Sequence, residues 1–203
     1  MDKLETLEQF LEFVKVKTSF KYSHTLPLSH QGRVDSKEKS LTLIIIPMPD
    51  LLVKLYELPD VRSHIDELQQ KGVNIRKAMA YEKHQIIEWV EDNFGPGWVS
   101  ECDVAFGNSR ISCFIATENN NIMGFACYDS TAKNFFGPMG VAEQARNRGI
   151  GKALLLSALD AMSHIGYAYA IIGGTESIEY YKKAVGAIEI LGSSPGIYKD
   201  KLK

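Results

Sequence analysis

The stretch Gly137-Pro138-Met139-Gly140-Val141-Ala142-Glu143-Gln144-Ala145-Arg146-Asn147-Arg148-Gly149-Ile150-Gly151-Lys152-Ala153-Leu154-Leu155 holds the residues best suited to chemistry. A strand-like run passes into a Gly-rich, Arg-bearing turn that opens a long helical segment. Such a turn aims several unpaired backbone N–H groups and the positive end of the helix at one place, which makes an anion site. Gly149 and Gly151 let the backbone approach a phosphate with no Cβ in the way, and Arg146, Arg148 and Lys152 bring positive charge to a polyanion. Two common phosphate loops do not fit. A P-loop requires a Gly five residues before its Gly-Lys pair and a Ser or Thr after it, and Arg146 and Ala153 stand there instead. A dinucleotide fingerprint begun at Gly149 meets Leu154 at its third glycine and lacks an acidic ribose partner about 20 residues on.

The elements that must position this turn follow from periodicity. Val73 to Met79 alternates as a strand, Tyr81 to Phe94 is helical, and Gly95-Pro96-Gly97 breaks the chain before a shorter helix over Trp98 to Phe106. Arg110 to Thr117 and Ile122 to Asp129 predict a hairpin, since Asn119 and Asn120 between them accept the positive φ of a tight turn. Asn134 to Val141 is a strand that Gly137 and Pro138 should bulge or splay from a neighbour, because Pro lacks a ladder donor. Gly149 to Ile165 is a helix, Tyr167 to Ile172 a buried strand, Ser177 to Val185 a helix, and Ala187 to Leu191 and Ile197 to Lys199 closing strands. Upstream, Asp2 to Val14 predicts an amphipathic helix, residues 21 to 40 a loop, Ser40 to Ile46 a strand, Asp50 to Leu55 a short capped helix and Pro59 to Lys71 another. The expected division is an N-terminal helical or irregular extension, 1–71, and a catalytic domain, 72–203.

The pattern [RQ]-x-x-G-x-[GA], met by Arg146, Gly149 and Gly151, together with the element order over residues 73 to 200, resembles the GNAT (general N-acetyltransferase) superfamily. The resemblance implies an α/β fold: a mixed, mostly antiparallel sheet splayed between strands four and five, with helices on both faces. It implies acetyl-CoA as co-substrate, its pyrophosphate held by Arg146, Asn147, Arg148, Gly149, Ile150, Gly151 and Lys152 and its pantetheine arm by the backbone of Met139, Gly140 and Val141. Tyr180-Tyr181-Lys182-Lys183-Ala184-Val185-Gly186 is similar to the family's helix-four pattern, which gives Tyr181 the place of the phenol that protonates the departing thiolate, with Tyr180 expected in the core. In many members a Glu on the fourth strand helps the base. Asn134 to Val141 contains no carboxylate, which leaves Glu101, Glu176 and Asp129 as candidates for deprotonating the amine.

Composition sets the outer limits. With 203 residues, 45% hydrophobic and 24% charged, the chain suits one sizeable core burying roughly 70% of the unfolded surface. Net charge is −2, and residues 1–71 carry 10 basic and 11 acidic groups against 13 and 14 in 72–203, so no nucleic-acid arm is expected. No aliphatic run is long enough to span a membrane and no leader pattern opens the chain, which makes the cytoplasm the expected compartment. Cys102, Cys113 and Cys127 form no CxxC pair and read as reduced thiols, and no two of the five His stand at metal-ligand spacing, so no metal is expected. Trp98, after the Gly-Pro-Gly break, could pack or stack on a sugar.

Together these features predict direct acetyl transfer, of the EC 2.3.1 type, to the primary amine of a small molecule. Phe135-Phe136-Gly137-Pro138-Met139-Gly140-Val141 and Tyr169-Ala170-Ile171-Ile172-Gly173-Gly174 are similar to stretches of bacterial GNAT proteins that acetylate glucosamine or glucosaminides, although Thr175-Glu176-Ser177 departs from them. Another small amine, a peptide or protein amine, and a non-catalytic acyl-CoA sensor stay open as alternatives. The first amphipathic helix could dock on the core or make a homodimer contact.

Overall fold

The computed structural model describes residues 48–200 and 202. The expected elements over 2–14, 21–40 and 40–46 lie outside the described residues. Ile45–Lys203 forms one compact unit. In chain order its elements are β1 (Leu51–Lys54), α1 (Arg62–Gln70), β2 (Val73–Lys77), α2 (Lys83–Phe94), α3 (Pro96–Gly107), β3 (Cys113–Glu118), β4 (Asn121–Tyr128), β5 (Phe135–Val141), α4 (Ile150–His164), β6 (Tyr169–Ile172), α5 (Ile178–Val185) and β7 (Ile188–Glu189).

The seven strands lie in one sheet in the order β2-β3-β4-β5-β6-β1-β7. Every pairing is antiparallel except β5 with β6, which run parallel. Asn119 and Asn120 take φ of 50° and 62° in the β3–β4 turn, as the hairpin required. Alternate β4 residues face opposite layers: Ala126 and Tyr128 join the core under α1, α4 and α5, while Phe125 and Cys127 join the core under α2 and α3. Helices therefore cover both faces. α4 is the central helix, with Leu154, Leu155, Leu156 and Leu159 all nearly inaccessible. Each such side chain contributes about 1.5–3 kcal/mol by burial.

Two expectations near the chain ends need correction, for one shared reason. Asp50 to Leu55 is not a helix, because Leu51–Lys54 pairs along β6, Leu51 opposite Ile172 and Val53 opposite Ala170. A short apolar run suits either period, and here Leu51 and Val53, two apart, both bury completely. Asp50, expected to cap that helix, accepts the Gly174 N–H at 2.8 Å and donates its own N–H to Ser193 Oγ at 2.8 Å. Of the expected extension 1–71, the part from Leu51 to Gln70 thus supplies a strand and a helix to this sheet and core. With the place beside β6 filled by β1, the expected closing strand Ile197 to Lys199 is instead a 3-10 turn over Gly196–Tyr198, and β7 shrinks to Ile188–Glu189.

Candidate active site

The parallel pair is the origin of the site. β5 and β6 are in register only at Phe135–Ile171 and Phe136–Ile172, and beyond Phe136 they part. Gly137 follows with φ of 123°, and Pro138 brings no N–H, so the strand cannot continue its ladder on that side. β5 nevertheless stays paired to β4 through Met139, Gly140 and Val141. The Ala142 N–H reaches the Met123 carbonyl at 2.9 Å, and the two-residue alternation turns the amides of Met139 and Val141 from β4 toward the gap. Gly140 is fixed by packing: a Cβ there would lie 2.4 Å from the Phe94 ring.

Directly after β5 the chain makes a 3-10 turn over Glu143–Ala145 and enters the Arg146–Gly149 turn. Asn147 and Gly149 take φ of 61° and 86°, which curls the backbone into a concave cradle. The first α4 hydrogen bond runs from the Ala153 N–H to the Gly149 carbonyl at 3.1 Å, so the N–H groups of Ile150, Gly151 and Lys152 have no intrahelical partner. Gly149 is required by its φ. Gly151 is not: its ideal Cβ would lie no closer than 3.5 Å to Val141 and 3.6 Å to Tyr180 Oη. Glycine inside a helix costs about 1 kcal/mol relative to Ala, so an unforced one at this position fits close approach of a ligand. Arg146, Asn147, Arg148 and Lys152 are all exposed around the cradle.

Neighbours not expected from sequence adjust this picture. Arg148 is held in a bidentate pair with Glu118 at the end of β3, at 2.6 and 3.0 Å, which keeps the Glu118 carboxyl below its usual range. Arg146 Nε donates to the Val141 carbonyl at 3.4 Å. His64 of α1 donates from Nε2 to the Gly149 carbonyl at 3.2 Å, so this ring, one of five His without a motif, braces the cradle.

At the other end of the gap, five distant segments meet. Thr131 Oγ1 donates to Glu101 of α3 at 2.5 Å. The Tyr198 hydroxyl lies over Gly173, where a Cβ would sit 2.5 Å from it, and so over the end of β6 at the mouth of the gap. Burial raises the Tyr198 pKa, and the Glu101 and Asp50 charges raise it further. Glu101 therefore stands in a small polar cluster with Thr131 and Tyr198. Glu176 is exposed on the β6–α5 loop. Asp129 is absorbed by structure: it accepts the Asn134 N–H at 2.8 Å and the Tyr167 hydroxyl at 3.2 Å.

The two tyrosines sit in different environments. Tyr180, expected in the core, is 39% exposed with its hydroxyl toward Gly151, whereas Tyr181 is buried edge-on against Phe136, at a centroid distance of 6.4 Å. Phe136 is the last paired residue before the gap. Burial pushes the Tyr181 phenol pKa well up, so it keeps its proton across the neutral range. Trp98 is stacked on Phe94 at 4.9 Å within the α2–α3 core. Cys102, beside Glu101 in sequence, is fully buried and does not line the polar cluster.

Sequence and structure comparisons agree with this geometry. The profile of the acetyltransferase (GNAT) family matches residues 83–187, just over half of the chain. No curated protein sequence matches it. Among solved structures, a GCN5-related glucosamine N-acetyltransferase region of a fungal multi-domain GH3 beta-N-acetylglucosaminidase is 13% identical, over 94% of this chain and 22% of its own, with a TM-score of 0.60. A GCN5-related N-acetyltransferase from Sphaerobacter thermophilus is 18% identical over 71% of this chain and 50% of its own, at 0.55. Another from Kribbella flavida is 15% identical over 71% and 55%, at 0.50. The chain thus spans between about a fifth and about half of these proteins, and at such identities the likeness is one of fold. The profile match, the splayed mixed sheet and the cradle that opens α4 place the chain in the acetyltransferase (GNAT) family.

Proposed function

We propose that the chain is an acetyl-CoA-dependent N-acetyltransferase that acts on the primary amine of a small molecule by direct transfer. The observation that carries this reading is the continuity of the gap: an anion cradle at one end, unpaired β5 amides along it, and a polar cluster with a carboxylate at the other. The cradle amides of Ile150, Gly151 and Lys152, with Arg146 and Lys152 beside them, fit a pyrophosphate. The Met139 and Val141 amides suit a pantetheine arm laid along β5, which leads the thioester toward Phe136 and Tyr181. An amine entering from the Glu101 side gives up a proton, directly or through water, and attacks the thioester carbonyl. The oxyanion that forms is stabilised by β5 amides, and the Tyr181 phenol, protonated at neutral pH, donates to the departing thiolate.

Within this class an amino sugar is the favoured acceptor. Supporting it are the likeness of Phe135–Val141 and Tyr169–Gly174 to glucosamine-acetylating members and the fungal glucosamine N-acetyltransferase region among the fold neighbours. The test is acetyl-CoA-dependent thiol release across glucosamine, glucosaminides, aminoglycosides, polyamines, amino acids and peptides. Turnover confined to glucosamine-type amines, with a large loss in Tyr181→Phe, is the expected result. Turnover with another class replaces the acceptor. Protection from heat by acetyl-CoA without any turnover overturns the enzyme reading in favour of an acyl-CoA sensor.

A further inference from the structure

On the sheet face opposite α4, three cysteines from three elements meet. Cys102 comes from α3, Cys113 opens β3, and Cys127 lies in β4 directly across from Cys113 in the antiparallel register. Their sulfur atoms all lie within 4.8 Å of one another, and all three residues are completely inaccessible. Ile86, Val90, Ala105 and Ile115 share the core around them. The three thiols hydrogen-bond to one another, and Cys113 Sγ also donates to the Phe114 carbonyl at 3.7 Å. Three thiols far apart in the chain are thus a single group.

A lone buried cysteine is a small hydrophobe, but three sulfurs in mutual reach are a donor set. A metal at the centre of a sulfur triangle, with M–S of about 2.3 Å, has S–S edges of about 4.0 Å, inside the 4.8 Å that bounds every sulfur pair here. Soft sulfur donors select soft ions. Among the described residues no His or carboxylate joins the group, so zinc, which takes four ligands in structural sites, would be one ligand short in an apolar core. A three-coordinate d10 ion uses the set completely. Thiolate is the ligand form of cysteine, so binding goes with loss of the thiol protons.

We propose that Cys102, Cys113 and Cys127 form a trigonal, all-sulfur binding site for a soft monovalent d10 cation of the Cu(I) class. Binding forms three metal–sulfur bonds, releases the three thiol protons to solvent and changes no oxidation state. The site is separate from the proposed transfer chemistry and does not depend on it.

The test uses the full chain, reduced and metal-free, mixed without oxygen with Cu(I) held by a colorimetric Cu(I) chelator. The expected result is transfer of one ion per chain, with X-ray absorption showing three sulfur neighbours and no nitrogen or oxygen. Cys102→Ala, Cys113→Ala and Cys127→Ala should each weaken retention by at least about 100-fold, more than loss of an outer-shell partner does. No transfer to the wild-type chain, a shell containing nitrogen or oxygen, or undiminished retention in a variant that still melts cooperatively would overturn the proposal. The wild-type absorption spectrum decides the matter even where an Ala variant fails to fold.

Discussion

The two ends of the gap between β5 and β6 are built in opposite ways. The anion cradle is made by one continuous segment, Gly137 to Lys152, and works mainly through backbone groups whose directions are set by φ at Asn147 and Gly149 and by the start of α4. The polar end is assembled from Asp50, Glu101, Thr131, the Gly173–Gly174 turn and Tyr198, which lie far apart in the chain and meet through side chains. Holding a phosphate requires fixed amides, which a local turn supplies. Recognising one amine among many requires side chains placed by tertiary packing, and those can change without disturbing the cradle.

Substitutions at the polar end should accordingly alter use of the amine alone. Glu101→Gln carries the largest expected effect: kcat/KM for the amine falls by about 10²–10⁴, the range of a general base, with KM for acetyl-CoA unchanged. A parallel rise in acetyl-CoA KM would show that the two ends do not act separately. Gly151→Ala should do the reverse. It raises acetyl-CoA KM by about tenfold while raising the melting temperature, because Ala exceeds Gly in helix propensity by up to about 1 kcal/mol and the Cβ makes only ordinary van der Waals contacts with Val141 and Tyr180. A variant that binds acetyl-CoA as well as the parent would remove the case for a ligand over Gly151.

Two further substitutions sharpen the comparison. Thr131→Val deletes the hydroxyl that donates to Glu101 at 2.5 Å and should lower kcat/KM for the amine about tenfold, as loss of a hydrogen bond to a charged group does. Glu118→Gln releases Arg148 toward the cradle. Acetyl-CoA KM should then fall about two- to threefold in dilute buffer and return to the parent value in high salt, as expected of an exposed ion pair. Steady-state kinetics at two ionic strengths would check it, and a salt-independent change would assign Glu118 a role other than restraining Arg148.

The same contrast explains what the sequence disclosed. The cradle, the hairpin at Asn119 and Asn120, and the splay at Gly137-Pro138 were legible because each rests on residue types within a few positions of one another. Tyr198 and Thr131 were not, since nothing near either residue announces that they approach Glu101. His64 carried no signal either, because its contact with the Gly149 carbonyl joins residues 85 positions apart. The cysteines at 102, 113 and 127 meet only through the β3–β4 register and the seat of α3 upon it. Leu51–Lys54 reads as helix in isolation because its partner strand lies more than a hundred residues downstream.

That last pairing sets an order on how the molecule assembles. β1 leaves the ribosome early and then waits for β6 before it can form a single ladder bond, and β7 cannot dock until β1 has. Such long-range closure slows folding. The Met48 amide lies 3.3 Å from Ser194 Oγ, so the front of the strand and the tail of the unit already run side by side. A circular permutant that carries Met48–Glu57 behind the C-terminal segment would keep every strand neighbour while shortening the path between β6 and β1. It should reach the same sheet faster, which stopped-flow refolding of the two chains would measure.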